Sequence, residues 1–499
     1  MDSLKVFWSN RFGKVILIIS FILIIFNTYC AWGIPIDDAY TTYRYAKNLL
    51  NGYGPVYNPG DRVEGYSNFL WMLINAIAIK LEIDPLVFSS ALSVVMLLIT
   101  IFFLLKIYHI EKINEKNDSS YLLFGLIPIV TSLSIYFYIT SGLETQMFIT
   151  IFFLSVFSIR YLKWNFITTG LLFGGLILTR SDGFVYVGII LLSTLIISFL
   201  RKENRRDIIL SGFIAIVIFI LYFTWRVWYY RSLLPNPYYA KTSFGILQLK
   251  DGIIYFITFL KENLIWIFLL IFGFYRKEEL YLLLIIIGVV FYVTIIGGDW
   301  MPHHRFYQIL IPLFGYVIGW GVYYLCKEYG KYRRFIYTFL LFVLLFNLFD
   351  IVNEYSVEKI VTGRNMDTDA VETTKRVGIY INDNCPKDEK VAFSGAGILP
   401  YYADRYVIDT MGINDYHIAH LPGGIERGDP DYVLSLKPYY IVLFHDTIDE
   451  HGNVSSFTWE GGRAIYEHPG FKERYVFEKA FPTRGVKKGR YFHLYRRKM

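Results

Sequence analysis

The chain has 499 residues, of which 55% are hydrophobic, 19% aromatic and only 18% charged. This composition excludes an ordinary soluble protein and indicates a polytopic membrane protein. The net charge of +7 is spread over short clusters, which bear on membrane topology and argue against nucleic-acid binding. Cys30, Cys326 and Cys385 are too widely separated to form a metal motif or a disulfide framework.

Apolar runs long enough to cross a bilayer predict roughly eleven membrane spans. They lie near residues 15–32, 86–108, 121–139, 146–162, 164–179, 184–200, 208–228, 262–275, 280–297, 306–326 and 333–351. The first run lacks a small-residue cleavage site, so we expect a retained helix and not a signal peptide. The apolar run at 68–82 is short for a crossing, and we expect it to lie in the membrane interface.

Basic residues orient the predicted spans. If residues 68–82 do not cross, Lys5, Arg11, Lys14 and the basic loops "RKENRR" and "KEYGKYRR" fall on the cytoplasmic side. The conspicuous polar motifs then share the outer face: "IPIDDAY", "TSGLETQ", "TRSDGF", "LLPNPYYAKTS" and "IIGGDWMPHHRF". The sequence therefore predicts a multi-pass cell-membrane protein whose polar motifs are extracytoplasmic.

The composition changes after the last apolar run. The remaining residues are charged and contain short strand-like runs, "KVAFSGAG", "RYVIDTMG", "YYIVLF" and "RYFHLYRR", preceded by the helix signal "DAVETTKRVGIYINDN". We expect an α-helical transmembrane domain at 1–352, with an important outer loop at 33–85, and an extracytoplasmic α/β domain at 353–499.

Two adjacent carboxylates, Asp37 and Asp38, follow directly after the first span. Such a pair is costly near a low-dielectric boundary because the two charges repel each other. We expect Asp38 to cap a helix through "AYTTYRYAKNLL", which leaves Asp37 free to act in a cavity. The alternative is that both residues are interfacial caps.

The other outer motifs contribute acids and bases at the same depth. These candidate residues of a binding site for an anionic group are Arg44, Glu144, Arg180, Asp182, Lys241, Asp299, His303, His304 and Arg305. The cations among them suit an anionic group such as a lipid phosphate.

Aromatic residues and histidines of the outer face invite two further predictions. Trp300 is the candidate sugar-stacking residue, whereas an interfacial belt is expected of most other outer aromatic residues. Those residues are Tyr40, Tyr43, Tyr45, Tyr57, Tyr66, Trp71, Tyr238 and Tyr239.

Asp299, His303 and His304 do not have the spacing of a dedicated metal site, so no metal or other cofactor is predicted and a divalent cation is left as an alternative.

These motifs together resemble a known family. "DDAYTTYRYAKNLLNGYGPVYNPGDRVEGYSNFLW", "SGLET", "LTRSDG", "LPNPYYAKT", "GGDWMPHHRF" and "GILPYYADRYVIDTMGINDYHIA" follow one another along nearly the whole chain. As a set they are similar to the polyprenyl-phosphate-sugar-dependent membrane glycosyltransferases of the GT-C superfamily. The resemblance is greatest to the branch that contains the terminal arabinofuranosyltransferase B of mycobacterial cell walls.

The resemblance implies a GT-C fold and inverting transfer of a sugar from a polyprenyl phosphate to a hydroxyl of a glycan, lipid or protein, in envelope glycan biosynthesis. It places the essential carboxylate in the Asp37–Asp38 pair and matches Glu144 to a second acidic residue. A sugar hydroxyl needs a base, whereas a neutralised phosphate leaves readily. We predict Asp37 as the base and Asp38 as a cap and acceptor ligand, with the reverse assignment open. A flippase or transporter of lipid-linked glycans and an inactive glycan-binding scaffold are the alternative functions.

Overall fold

The computed structural model describes residues 11–112, 119–241, 246–274, 280–330, 366–423, 427–448, 454–457, 459–482 and 491–498, with short pieces between 338 and 353. Most of the predicted span at 333–351 lies outside these ranges, as does Lys5.

Apolar α-helices make up most of the N-terminal part of the chain. In chain order they are α1 (Arg11–Ala31), α2 (Asp37–Leu50), α3 (Phe69–Lys80), α4 (Pro85–Lys112), α5 (Ile127–Val130), α6 (Leu133–Ile139), α7 (Thr145–Ser158), α8 (Phe166–Thr179), α9 (Gly183–Leu200), α10 (Arg206–Tyr230), α11 (Asn236–Lys241), α12 (Ile246–Glu262), α13 (Leu264–Gly273), α14 (Leu280–Ile295) and α15 (Leu310–Glu328). Two 3-10 helices lie at Ser119–Leu126 and Arg305–Tyr307.

Helix length and apolar character identify the membrane-spanning elements. Within the described residues, α1, α4, α9, α10 and α15 are long and apolar enough to cross a membrane. Two further apolar segments are bent, by 61° before α6 and by 79° between α12 and α13, and counting each as one span gives seven. The chain is therefore a multi-pass membrane protein.

The number of spans predicted from sequence is not reached in the described residues. The predicted spans at 146–162 and 164–179 correspond to α7 and α8, which have 14 residues each. A helix of that length is about 21 Å long, shorter than a hydrocarbon core of about 30 Å. Nearly every side chain of α7 is buried, so this helix packs against protein on all sides.

The C-terminal part contains a mixed six-stranded sheet of order β2-β1-β3-β6-β5, with β4 paired to β3. Its strands are β1 (Lys390–Phe393), β2 (Tyr406–Asp409), β3 (Tyr440–Ile448), β4 (Val454–Phe457), β5 (Tyr475–Pro482) and β6 (Tyr491–Arg497). Its helices are α16 (Met366–Asn384), α17 (Ile398–Ala403), α18 (Tyr416–Ala419), α19 (Pro430–Ser435), α20 (Glu460–Glu467) and α21 (Pro469–Arg474).

Four of these strands and α16 lie where the sequence predicts them. The strands β4 and β5 were not predicted. Edge strand β5 buries few of its side chains, so its sequence carries only a weak core pattern.

The sheet meets the first long loop of the N-terminal part at one edge. Because β1 runs parallel to β2, the loops that follow them, 394–397 and 410–415, lie side by side. The hydroxyls of Thr41 and Tyr57 donate to the carbonyl of Ala396 at 3.0 and 2.9 Å, and the amide of Asn236 donates to the carbonyl of Gly412 at 2.7 Å. We call the segments 394–397 and 410–415 the sheet-edge loops.

A buried ion pair fixes the loop before α3 to a spanning helix. Arg226 of α10 donates from Nε to Oε2 of Glu64 at 2.6 Å, and the two side chains are 6% and 2% exposed. Arg226 also donates to the carbonyl of Leu233 at 2.8 Å. Removing one member of such a pair leaves the other charge buried and uncompensated.

We expect Arg226→Met to lower the stability of the detergent-purified chain, because it leaves the Glu64 carboxylate buried without its partner, at a cost of about 3–5 kcal/mol. Thermal unfolding measures the effect. Arg160→Met is the control, since the partner Glu203 is 41% exposed and such pairs contribute only about 0–1 kcal/mol. Equal losses of Tm in the two variants would contradict the prediction.

Candidate active site

A cavity of about 490 Å³ lies where the first loop, several helix ends and the sheet-edge loops meet. Six of the predicted site residues line it: Asp38, Glu144, Arg180, Asp182, Lys241 and Arg305. The sheet-edge loops contribute Ala396 and Ile413 to its wall. We call this space the central cavity.

The two adjacent aspartates face different partners. Helix α2 begins at Asp37 after the N-cap residue Ile36, so the expectation that Asp38 caps this helix is wrong. The carboxylate of Asp37 accepts hydrogen bonds from the backbone N–H groups of Gly397 and Ile398 at 2.9 and 2.8 Å. Asp37 therefore anchors the start of α17, whereas Asp38 lines the central cavity.

The contact between Asp37 and the start of α17 leaves no room for a side chain at Gly397. A Cβ atom built on this residue would lie 1.8 Å from the backbone oxygen of Asp37. Burial of Asp37 raises the pKa of its carboxyl to about 6, an effect reinforced by the neighbouring charge of Asp38 and opposed by the donated N–H bonds.

Glu144 is held at the N-terminus of α7 by a polar chain that starts on α2. The hydroxyl of Thr42 donates to Oδ1 of Asn68 at 3.1 Å, and Nδ2 of Asn68 donates to Oε2 of Glu144 at 2.8 Å. Sequence reasoning missed Asn68. An asparagine just before a short apolar helix looks like a helix cap, but its side chain makes no capping bond.

Arg180 is fixed from several sides. Its guanidinium donates to both carboxylate oxygens of Asp182, at 2.9 and 3.1 Å, and lies 3.7 Å from Oε1 of Glu144. Tyr292, another residue that the sequence did not single out, donates to Asp182 at 3.3 Å. The guanidinium also stacks over the ring of Phe306 at 4.7 Å. The guanidinium of Arg180 is thus paired with two carboxylates.

Arg305 and Lys241 are the other cations of the cavity wall. Nε of Arg305 donates to Oδ2 of Asp299 at 2.6 Å. Lys241 lies exposed at the end of α11, and no ion pair involves it among the described residues. The central cavity therefore contains one cation without a carboxylate partner in the described structure.

Four predicted ligands in the "GGDWMPHHRF" segment do not line the central cavity. Asp299 lies behind Arg305 with its side chain 4% exposed, and Trp300 is 70% exposed to the surroundings. His303 and His304, at φ of 58° and 51°, border a separate cavity of about 450 Å³. Two left-handed residues in succession are costly, and this turn sends Arg305 and the histidines to opposite sides.

The Arg44 side chain also belongs elsewhere. Its guanidinium donates to the carbonyls of Tyr57 at 2.8 Å and Arg405 at 2.6 Å, to the carbonyl of Pro400, and to Oδ1 of Asn58 at 3.0 Å. Two of these bonds join α2 to the C-terminal part, at Pro400 and Arg405, and the other two hold the first loop at Tyr57 and Asn58. The structure therefore assigns Arg44 to docking and not to the cavity wall.

Most of the outer aromatic residues are core residues. The expected interfacial belt is wrong for those that are at most 5% exposed: Tyr40, Tyr43, Tyr45, Tyr57, Tyr66 and Trp71. Their rings fill the space around α2 while their polar atoms find partners, as Trp71 does by donating to the carbonyl of Gly142 at 2.9 Å. Tyr66 and Tyr238 also line the central cavity.

Within the described ranges, no group of three or more His, Cys, Asp or Glu side chains is placed to hold a metal ion. The central cavity instead combines carboxylates with cations. Such a set can take a proton from a hydroxyl and bind an anionic group.

Two solved structures share the overall fold of this chain. The crystal structure of ArnT from Cupriavidus metallidurans bound to undecaprenyl phosphate matches with a TM-score of 0.58 and 10% identity, covering 97% of this chain and 98% of that one. The apo structure of the same protein matches with a TM-score of 0.56 and 9% identity, covering 96% and 97%.

The comparisons of sequence do not identify a function. The family described as "Domain of unknown function (DUF8728)" matches residues 364–495. A search of curated proteins finds no match. At this level of identity the structural likeness defines the fold alone, and the arabinofuranosyltransferase B-like branch stays a prediction.

The Asp37 anchor predicts a pH dependence of stability. Its pKa of about 6 in the folded chain exceeds the ordinary value of 3.8, so its contribution is full below pH 3.8 and is lost as pH rises through 6. The difference of about two units corresponds to at most ~3 kcal/mol. We expect the Tm of the native chain to fall relative to that of Asp37→Asn between pH 4 and 7. Parallel curves for the two proteins would contradict this assignment.

Proposed function

We propose that this chain is a membrane glycosyltransferase that moves a sugar from a polyprenyl-phosphate donor to a hydroxyl acceptor. The observation that carries the proposal is the convergence of Asp38, Glu144, Lys241 and Arg305 on one cavity. A cavity lined only by carboxylates would suit a cation, and a cavity lined only by cationic side chains would suit an anion. Sugar transfer from a phosphate uses both kinds of side chain.

Asp38 is the proposed general base. Glu144 shares its carboxylate with Asn68 and Arg180, and Asp182 is occupied by Arg180 and Tyr292. Asp37 is turned to the backbone of Gly397 and Ile398. Asp38 is the lining carboxylate to which no such bond is assigned in the described structure, so it can accept a proton from the acceptor.

Lys241 and Arg305 are proposed to hold the leaving phosphate. Lys241 has no competing carboxylate in the described structure, and Arg305 keeps unused donors beyond its bond to Asp299. Arg180 is already paired with two carboxylates, which makes it a weaker phosphate ligand and a better positioning residue for Glu144.

The proposed reaction is a direct displacement. Asp38 takes the proton of the acceptor hydroxyl. At the same time the hydroxyl oxygen of the acceptor attacks the anomeric carbon from the face opposite the phosphate. The bond between that carbon and the phosphate oxygen breaks, and its electron pair leaves with the polyprenyl phosphate. One displacement inverts the anomeric centre, and a phosphate bound by cations needs no strong acid to leave.

The donor class and the orientation are parts of the same proposal. The ArnT structure is bound to undecaprenyl phosphate, and a GT-C fold with cations in the cavity suits such a lipid here. The distribution of basic loops supports an extracytoplasmic location for the cavity and for the part from residue 353 onward. Whether the sugar is a pentose or a hexose depends on the shape of the cavity around the donor.

Two other functions are less well supported. A transporter of lipid-linked glycans is expected to bind its substrate near the membrane midplane, whereas Glu144, Arg180 and Asp182 lie at helix termini. An inactive glycan-binding scaffold does not need a cavity lined by both acids and bases. The scaffold should tolerate loss of Asp38, and the enzyme should not.

We expect Asp38→Asn to lower sugar transfer by about 10²- to 10⁴-fold, the usual contribution of a general base. The assay incubates the full chain with synthetic polyprenyl-phosphate pentoses and hexoses and an envelope glycan extract, and measures released polyprenyl phosphate by mass spectrometry. Asp37→Asn is the comparison variant: it keeps one acceptor for the N–H groups of Gly397 and Ile398 and should lose less transfer than Asp38→Asn does. A greater loss of transfer in Asp37→Asn than in Asp38→Asn would assign the role of general base to Asp37. Full activity in both variants would support the function of an inactive glycan-binding scaffold.

We expect Lys241→Gln to weaken binding of undecaprenyl phosphate about tenfold, the effect of losing one charge-assisted bond of about 1.5 kcal/mol. Lys250→Gln is the control because Lys250 is equally exposed on the neighbouring α12 but does not line the cavity. Microscale thermophoresis in detergent compares the affinities of the two variants for undecaprenyl phosphate. Equal affinities would remove Lys241 from the proposed phosphate site.

A further inference from the structure

A second cavity, of about 270 Å³, lies in the C-terminal part at the carboxyl ends of β1 and β2 and along the first half of β3. Its wall includes Ser394 after β1, Thr410 after β2, Phe444 of β3, and Trp459 and Gly462 at the start of α20. We call this space the sheet cavity. It is separate from the central cavity, with which it shares no lining residue.

The position of the sheet cavity favours ligand binding. Strand β1 pairs with β2 on one side and with β3 on the other, in parallel on both sides. The chain therefore leaves β1 towards one neighbour and later returns to the opposite one. In open α/β sheets, ligands bind in the crevice at the carboxyl ends of strands where the connections diverge in this way.

The lining of the sheet cavity selects a neutral ligand with both polar and apolar faces. Among the described residues, none that lines it is ionisable, which disfavours a nucleotide or a phosphate. Trp459 and Phe444 offer ring surfaces, and Ser394 and Thr410 offer hydroxyls. A sugar ring matches this set, because its C–H face packs on an aromatic ring while its hydroxyls form hydrogen bonds.

The volume also argues against larger ligands. It lies just below the range of about 300–1,000 Å³ that is usual for ligand pockets. One sugar unit fits such a space better than a dinucleotide or a polyprenyl chain does.

The sheet-edge loops separate the sheet cavity from the central cavity. Ser394 lines the first and Ala396 the second, and in the neighbouring loop Met411 lines the first and Ile413 the second. Two residues of extended chain span at most about 7 Å. The two cavities are thus neighbours across one thin wall.

We propose that the sheet cavity binds a sugar unit of the acceptor, which makes the acceptor a glycan and not a lipid or a protein. The inference rests on the proposed function, because it gives the second cavity a role in the same reaction. Binding one unit of a glycan beside the central cavity holds a neighbouring unit at the effective concentration that transfer needs.

Gly462 offers a way to fill the sheet cavity without disturbing the fold. A Cβ atom at this position would lie 3.8 Å from Cε3 of Trp459 and 3.9 Å from Cδ2 of Leu443, which are ordinary contacts. Gly462→Leu should therefore occupy the space, and Trp459→Ala removes the ring by a different change. Gly188→Leu, at a position with nothing within 4 Å, and Trp300→Ala, at the exposed tryptophan, are matched controls.

The test measures binding of fluorescent neutral oligosaccharides built from pentoses and hexoses to the full chain in detergent, with a dodecyl lipid and a nucleotide sugar as comparison probes. We expect at least one oligosaccharide to bind, and Gly462→Leu and Trp459→Ala each to weaken it at least tenfold. Both controls should bind as the native chain does, and all four variants should keep their affinity for undecaprenyl phosphate.

Several outcomes would overturn the inference: no oligosaccharide binds, binding is unaffected by Gly462→Leu and Trp459→Ala, or the dodecyl lipid or nucleotide sugar occupies the sheet cavity instead. Asp38→Asn separates this inference from the proposed function. If that variant still binds the oligosaccharide but does not transfer sugar, both stand. If it transfers sugar normally while Gly462→Leu abolishes binding, the proposed base fails and the glycan site stands.

Discussion

The carboxylate of Asp37 and the backbone N–H groups of Gly397 and Ile398 form the contact that positions the C-terminal part over the first loop. It requires a residue without a side chain at 397, since a Cβ atom there would collide with the backbone of Asp37. The contact turns Asp37 away from the cavity and leaves Asp38 on its wall. Arg44 strengthens the same docking by joining α2 to the carbonyl of Arg405.

The distribution of charge in the central cavity follows from this docking and from the helix termini. Glu144 and Asp182 are engaged by Arg180, and Arg305 bonds to Asp299 behind it. Two charged side chains of the cavity wall, the carboxylate of Asp38 and the ammonium of Lys241, have no ion pair assigned in the described structure. A displacement at an anomeric carbon uses a base on one side and a cation at the departing phosphate on the other.

The sheet-edge loops give the C-terminal part a role beyond covering the membrane part. One wall of the central cavity consists of residues from these loops, and their other side lines the sheet cavity. This arrangement fits an enzyme whose acceptor is too long to be held by the central cavity alone.

Composition and long apolar runs are enough to identify a membrane protein, because they report burial in lipid directly, and local periodicity locates α16 and four strands. The polar motifs of the sequence also group six residues of the central cavity, since motifs at helix ends on one face meet there. The fold is needed to show that Asp38 and not Asp37 lines the cavity, and that Arg44, Asp299, Trp300, His303 and His304 do not line it. The direction of each of these side chains depends on what packs against it, and Asp37 and Arg44 each have partners that are more than 350 residues away in the chain. Local sequence carries no record of such a contact.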